Sequence, residues 1–418
     1  MHRTELAEGV MLTHIPADKF KTGRITINFI LPATRKTATV AALLPLLLER
    51  SCAEWPDMTA FSKKLAQLYG AALSAENAVQ GTRRVLSVSI SGIKDRYALT
   101  GEALSAEYTR VLFEVAFRPH FVNGVFDPET LEIEKQKLRE ALENEINEKR
   151  TYCIRQAKRK FFGDSPNGVE KNGYLEEVDG ITSEEVTAFY HEMIRTATIE
   201  LMVIGADAAA VGASFTERFC TQNRAPQAPP ALFAMPRTEE LVTEEPLDTV
   251  QGKLCMLYTT GELLTEEDFL KMRLAAAILG ALPTSRLFMN VREKQSLCYY
   301  CAAGYSSLTG MFMVDSGVEH CNAQRTKAAI QQELQTLCTE LVGEEELADA
   351  KRALTSALAG VEDSLYGIEN WYFGNIMRGI TEAPCETAQR IERVTAEDVR
   401  SALQRLSLSV TYCLTKGD

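Results

Sequence analysis

The spacing of apolar and polar positions follows the same order in both halves of the chain. Residues 84–92 alternate with a period of two and predict a strand, and residues 24–30 predict another, followed by an apolar helix at 37–50. In the second half, residues 253–258 predict a strand and residues 266–279 a helix. We therefore predict an α+β fold in which one unit, a mixed β-sheet flanked by helices, occurs twice.

Two matching helix starts support this repeat. Residues 181–186 and 394–399 each carry a threonine followed three residues later by a carboxylate, which predicts a capping box at Thr182 and at Thr395. An apolar strand pattern follows each of them. A long helix with a charged face is also predicted at 129–150.

A proline-rich segment separates the two halves. Residues 221–247 contain five of the fourteen prolines, and proline lacks an N–H group and fixes φ, so we expect an extended, irregular linker there. The chain of 418 residues exceeds the roughly 250–300 residues that one hydrophobic core supports. The sequence thus predicts an N-terminal domain at 1–220, a linker at 221–247 and a C-terminal domain at 248–418.

Charge and composition exclude several classes of partner. The net charge of −12 disfavours nucleic acid, which proteins bind through clustered Lys and Arg. No apolar run approaches the roughly 20 residues that span a bilayer, and the N-terminus lacks the apolar core of a signal peptide. We therefore expect a cytoplasmic protein whose ten cysteines are reduced. Cys298 and Cys301 form a Cys-x-x-Cys sequence, but its strand-like context differs from the helix start of redox pairs.

The most informative segment is Ser285–Tyr299, which contains R-L-F-x-x-x-R-E-K-x-x-L-x-Y. It resembles the C-terminal signature of the pitrilysin/insulinase family of zinc peptidases, and Leu68–Ala71 and Asp363–Trp371 extend the resemblance over nearly the whole chain. The resemblance implies two homologous peptidase-like domains joined by the linker in a clamshell. It also implies that Arg292 and Tyr299 bind substrate. Taken alone, they could equally be a charged helix end and a strand residue that packs on it.

The same family carries an inverted zinc motif, His-x-x-Glu-His, in its first half, and this chain does not. The five histidines are His2, His14, His120, His191 and His320. No two of them are four residues apart, which is the spacing that brings two imidazoles to one metal on a helix. We therefore expect no metal and no cofactor.

The resemblance places the lost ligand and base positions near Leu43, Leu46 and Leu47, within the apolar helix of the first half. The third ligand would fall near Glu140 or Ala141. A leucine side chain offers no donor atom to zinc, and a single glutamate is more typical of a solvated helix surface. The degenerate site is therefore expected to be apolar.

Two further sequences come close to zinc motifs. His191–Arg195 has the order of the forward motif, but an arginine replaces the second histidine. Ser316–His320 imitates the inverted motif but begins with serine and lies in a strand-like context. For both, we expect surface or half-buried histidines. The chain also lacks a Gly-x-Ser-x-Gly elbow and the phosphate-binding glycine motifs.

The combination resembles a metal-free branch of the family found in Gram-positive bacteria, whose members are named insulinase-like or elongation-factor-P 5-aminopentanol modification-associated proteins. It implies a non-catalytic, pseudo-peptidase subunit that supports substrate binding by a zinc-bearing insulinase-like partner, with a peptide or protein as substrate. The alternative is a stand-alone peptide-binding or scaffold protein. A homodimer, and a different activity that uses Cys or His, also stay open.

Overall fold

The computed structural model describes residues 1–219, 223–231, 233 and 239–417, which fall into two compact units. These units do not follow the order of the chain. Unit 1 comprises residues 1–143, 169–231 and 364–381, and unit 2 comprises residues 144–168, 232–363 and 382–418. Each half of the sequence therefore contributes one segment to the unit that the other half mainly builds.

A six-stranded mixed sheet forms the centre of unit 1. Strands in the first half are β1 (His2–Ala7), β2 (Val10–Ile15), β3 (Thr22–Pro32), β4 (Ala72–Gln80), β5 (Arg83–Ile93), β6 (Phe121–Val122), β7 (Val125–Phe126) and β8 (Thr198–Ile204). The sheet has the order β1-β2-β8-β3-β5-β4, while β6 and β7 form a separate hairpin. Strands β2 and β8 run parallel and the other neighbours antiparallel.

Unit 2 repeats this arrangement. Its strands are β9 (Leu241–Leu247), β10 (Gly252–Thr259), β11 (Cys298–Ser306), β12 (Met311–Val318) and β13 (Ser407–Lys416). The order β9-β13-β10-β12-β11 matches β2-β8-β3-β5-β4 strand for strand, and the parallel pair again lies at the same place, between β9 and β13. The predicted duplication of one α+β unit is confirmed.

Helices cover the two sheets. They are α1 (Ala38–Leu48), α2 (Met58–Gln67), α3 (Leu104–Phe117), α4 (Pro128–Asn144), α5 (Lys149–Phe162), α6 (Leu175–Val178), α7 (Ser183–Thr196), α8 (Ala208–Arg218), α9 (Glu266–Ala276), α10 (Ala323–Thr339), α11 (Glu344–Gly360), α12 (Leu365–Met377), α13 (Pro384–Glu392) and α14 (Ala396–Gln404). The predicted capping boxes begin α7 and α14, where Thr182 and Thr395 accept from the amides of Glu185 and Asp398. Within the described residues, no helix is long and apolar enough to cross a membrane.

The single helix predicted at 129–150 is wrong, because the chain turns between α4 and α5. A 3-10 turn at Glu145–Asn147 separates the two helices. The apolar face of α5 carries Cys153, Ala157 and Phe161, which are spaced by four residues and pack against β10 and β13 of unit 2. The apolar face of α4 packs in unit 1. Burial of two faces in two cores thus outweighs the local helix propensity.

The linker prediction is partly wrong. Residues 223–231 contain no helix or strand, as expected, but residues 241–247 form β9 at an edge of the second sheet. Pro246 fits there because an edge strand has one side on which the missing N–H costs no ladder bond. Residues 220–222, 232 and 234–238 lie outside the described part of the chain. The boundaries 1–220 and 248–418 stay predictions.

Candidate functional site

The predicted ligand positions of the first half lie on α1, which is apolar on nearly every side. Leu43 is fully buried and Leu47 is 4% exposed, both in the core of unit 1, whereas Leu46 is half-buried. A helix that is hydrophobic all round is stable only when it is enclosed by other elements. Because the leucines offer no nitrogen, sulfur or oxygen, this helix supplies packing and no metal ligand.

A buried carboxylate lies on α4, but two cations already balance its charge. Glu134 is 2% exposed, and its Oε1 accepts from Arg50 Nε at 2.5 Å and from Lys137 Nζ at 3.0 Å. Glu140 and Ala141, the expected third-ligand positions, are exposed, and Glu140 accepts from the side chain of Gln136. A buried carboxylate paired in this way is stable without a metal.

The zinc ion that the family implies does not fit this chain. No group of three or more His, Cys, Asp or Glu side chains within the described residues could hold a metal ion. His191 and Arg195 are exposed on α7, and Arg195 Nη2 lies 2.7 Å from Glu192. Ser316 is fully buried in β12, while His320 follows that strand and its Nε2 lies 3.0 Å from the Thr249 carbonyl. Neither near-motif forms a chelating pair on one helix.

The second predicted site begins in a π-helix. Arg292 lies in the π-helical segment Leu287–Lys294, and such wide turns are rare and are frequently found at functional sites. The Arg292 side chain is 38% exposed. Its guanidinium lies 4.4 Å from the centroid of the Phe288 ring, and its Nε lies 3.5 Å from Glu293, which is itself exposed. The charged head is therefore accessible to a ligand.

A tight turn connects this π-helix to β11. Ser296 adopts φ of +51°, a left-handed conformation that residues other than glycine rarely take. Its amide donates to the Arg292 carbonyl at 3.1 Å, and the Leu297 amide donates to the Val291 carbonyl at 3.1 Å. Leu297 is 3% exposed and anchors the turn in the core of unit 2. The leucine of the signature is thus structural.

Tyr299 lies at a β-bulge. The pairing of β11 with β12 shifts between Cys298 and Tyr300, so that Tyr299 is the extra residue of the edge strand. It is 49% exposed, and its hydroxyl donates to Glu319 Oε1 at 3.3 Å. The bulge directs a phenol with a polar tip into solvent.

Arg292 and Tyr299 therefore stand at the two ends of one short, irregular turn. Both side chains are hydrogen-bond donors, and neither is held by a buried partner, so both could donate to a peptide carbonyl or carboxylate. The sequence signature predicted these two residues. It gave no sign of the π-helix, the left-handed Ser296 or the bulge, because none of these follows from a periodic pattern.

Known proteins resemble this chain in both sequence and fold. Residues 180–354 match the family described as "Peptidase M16 inactive domain". The chain is 28% identical over 411 residues to the "Probable inactive metalloprotease YmfF" of Bacillus subtilis, covering 97% of this chain and 96% of that protein. The chain thus resembles inactive peptidase M16 proteins. Its predicted resemblance to the pitrilysin/insulinase family is thereby confirmed.

Two solved structures share the fold of this chain. The crystal structure of a conserved protein from Enterococcus faecalis V583 is 26% identical, with a TM-score of 0.90 over 100% of this chain and 98% of that one. A peptidase M16 inactive domain from Pseudomonas fluorescens is 17% identical, with a TM-score of 0.75 over 100% of this chain and 98% of that one. The predicted two-domain peptidase-like fold is confirmed. The chain has this fold without the His-x-x-Glu-His sequence.

Proposed function

We propose that this chain is the non-catalytic subunit of a two-subunit peptidase or peptide-processing assembly. A zinc-bearing M16-type partner would cleave the substrate, and this chain would bind part of the same peptide through Arg292 and Tyr299. The observation that carries the proposal is the contrast between two parts of one chain. The ligand positions on α1 are buried or half-buried leucines, while Arg292 and Tyr299 keep accessible donors.

The chemistry of the two side chains suits a peptide backbone. A guanidinium can donate two parallel hydrogen bonds to a carbonyl or carboxylate, and the phenol adds one donor and an apolar ring. Arg292 contacts the exposed Glu293 and the Phe288 ring, and Tyr299 contacts Glu319 at 3.3 Å, so a ligand would displace no buried partner. Exposed pairs of this kind contribute only about 0–1 kcal/mol.

The test is a mixed assembly. The partner would be the His-x-x-Glu-His protein of the same genome, coexpressed with this chain, and turnover of a quenched fluorescent peptide library would be measured. Arg292→Ala and Tyr299→Phe each remove a side-chain donor that would bind the peptide. A hydrogen bond that involves a charged group contributes roughly 1.5–3 kcal/mol, so turnover should fall about ten- to hundredfold in Arg292→Ala. The neutral bond of the phenol contributes roughly 0.5–1.5 kcal/mol, so turnover should fall about two- to tenfold in Tyr299→Phe, and both variants should still coelute with the partner.

Two matched variants control for the loss of a surface side chain. Arg352 is 71% exposed and contacts only Asp349 one turn away, and Tyr97 is 38% exposed. Arg352→Ala and Tyr97→Phe should leave turnover unchanged. If Arg292→Ala and Tyr299→Phe also leave it unchanged, the two residues are structural and the proposal fails.

The alternative of a stand-alone peptide-binding or scaffold protein makes a different prediction. In that case the zinc-bearing protein would cleave peptides equally well with and without this chain, and the two would not coelute. We further propose a link to the modification of elongation factor P, which rests on resemblance alone. Deleting the gene should change the mass of elongation factor P isolated from the host, and an unchanged mass would refute the link.

A further inference from the structure

The bulge at Tyr299 brings two thiols to one face of the sheet. In a regular strand, residues three apart point to opposite faces, so Cys298 and Cys301 would be separated. The extra residue in β11 reverses the alternation between them. Cys301 is accordingly part of the core beneath the helices of unit 2, and Cys298 packs against that same core. Tyr300 lies on the other face, with its ring 4.6 Å from the Arg150 guanidinium.

The two thiols differ in exposure. Cys301 is 5% exposed and Cys298 is half-buried, so a small reagent reaches Cys298 first. The strand partner of Cys301 is Ser316, which is fully buried and whose hydroxyl donates to the Tyr300 carbonyl at 2.8 Å. Both cysteines are free.

Their surroundings also separate the two thiols chemically. A hydrogen bond from the Cys301 thiol and the positive charge of Arg292 lower the pKa of Cys298 to about 7, against the opposing effect of burial. The same hydrogen bond, together with burial, raises the pKa of Cys301 well above its usual value. One proton therefore leaves the pair easily near neutral pH, and the thiolate forms at the more accessible sulfur.

We propose that Cys298 and Cys301 are an oxidation site, at which a small hydroperoxide converts the thiol pair into an intrachain disulfide. The Cys298 thiolate attacks one oxygen of the hydroperoxide, whose O–O bond breaks, and Cys298 becomes a sulfenic acid. The leaving alkoxide or hydroxide takes up a proton from solvent. Cys301 then loses its proton and attacks the Cys298 sulfur, the S–S bond forms, and hydroxide leaves and is protonated to water. With hydrogen peroxide, two thiols and one peroxide give one disulfide and two waters.

The first experiment measures reactivity without any partner. At pH 7, a thiol with a pKa of about 7 is half ionised, whereas one at the usual 9.0 is only about 1% ionised. The lower intrinsic nucleophilicity of the more acidic thiol removes roughly tenfold of this advantage, leaving about fivefold. Iodoacetamide at pH 7 should therefore modify Cys298 about fivefold faster than an unperturbed exposed thiol, and the rate should follow a midpoint near pH 7.

The second experiment identifies the product. The reduced full chain, freed of reductant, would be treated with hydrogen peroxide, alkylated, digested without reduction and mapped by mass spectrometry. We expect a Cys298–Cys301 peptide lighter by two hydrogens and restored by dithiothreitol. In Cys301→Ser, oxidation should stop at a Cys298 sulfenic acid that dimedone traps. Cys385→Ser removes an exposed thiol on α13 and should leave the disulfide unchanged.

The unsubstituted chain decides the proposal even if a variant fails to fold. The proposal is wrong if Cys298 and Cys301 are both still alkylated after peroxide has oxidised the exposed Cys321 and Cys385. It is also wrong if Cys298 forms a disulfide with Cys321 instead. One consequence rests on the proposed function: a disulfide across Tyr299 should lower peptide turnover by the mixed assembly, reversibly. If the disulfide forms but peptide turnover does not change, the role of Tyr299 in binding is refuted, while the oxidation site stands.

Discussion

Replacing Leu47 by alanine should destabilise the protein far more than replacing its neighbour Leu46. Leu47 is 4% exposed and packs in the core of unit 1, while Leu46 is half-buried on the same helix. Leu→Ala in a core costs about 2–5 kcal/mol, because transfer free energy is lost and a cavity remains. Both substitutions change helix propensity equally, so it cancels in the comparison. Because part of the Leu46 side chain already reaches water, we expect a smaller loss there, roughly 1–2 kcal/mol.

Tryptophan fluorescence during urea unfolding measures this difference in the right place, because Trp55 and Trp371 both belong to unit 1. With an m-value of about 2–3 kcal/mol per molar urea, Leu47→Ala should lower the midpoint by roughly 1 M or more, and Leu46→Ala by less than about half of that. Leu47→Asp should be more severe, since an unpartnered carboxylate would be buried. Equal midpoints for the two alanine variants would refute the placement of the degenerate site in the core.

Three further outcomes are expected. Gly280→Ala should lower the free energy of unfolding by about 1–3 kcal/mol or more, because the added Cβ would lie 2.6 Å from the Ala303 amide nitrogen. In Gly304→Ala the added Cβ meets nothing within 4 Å, so this control should be nearly neutral, and equal urea midpoints for the two variants would contradict the prediction. Thr395→Ala should cost about 1 kcal/mol through the lost cap, and Thr395→Ser only a few tenths; equal losses would show that the hydroxyl is not the cause. The purified chain should carry no stoichiometric zinc and cleave no peptide alone, and elemental analysis that finds one zinc per chain after gel filtration would contradict this.

The sequence predicted the repeated unit because its signals are local. A period of two identifies β3 and β5, and the capping boxes mark α7 and α14 through contacts within one turn. Strand β9 was missed for the opposite reason. Its sequence, Leu-Val-Thr-Glu-Glu-Pro-Leu, is rich in poor strand formers, and it is a strand because β13 pairs with it from the far end of the chain.

Local sequence patterns also could not predict that each half of the chain contributes a segment to the other unit. Residues 129–150 are rich in good helix formers, and the weak formers Asn144 and Asn147 are too slight a signal to predict the break at 145–148. The break exists because the apolar faces of α4 and α5 belong to different cores. Likewise, α12 lies near the C-terminus of the sequence but in unit 1. Membership of a core is decided by tertiary contacts that no window of sequence contains.

The candidate site divides in the same way. The residue types and spacing of the signature predicted Arg292 and Tyr299, and the absence of histidine predicted the apolar α1. The backbone between the two residues could not be predicted, because a π-helix and a bulge each insert a residue into a regular pattern. The shared face of Cys298 and Cys301 follows from that insertion, because residues three apart in a regular strand point to opposite faces.

The exposed side chains of the second site contribute little to stability, and this supports the proposal that they bind a ligand. A residue in the left-handed region costs of order 1–3 kcal/mol when it is not glycine, and Ser296 adopts that conformation between Arg292 and Tyr299. Burial of Leu297, which is 3% exposed, offsets this cost, whereas the exposed contacts of Arg292 and Tyr299 contribute little. On α1, by contrast, leucines fill the ligand positions and stabilise the core of unit 1. The burial of Leu297 therefore explains the turn itself, while the proposal of a ligand rests on the donors that Arg292 and Tyr299 keep exposed.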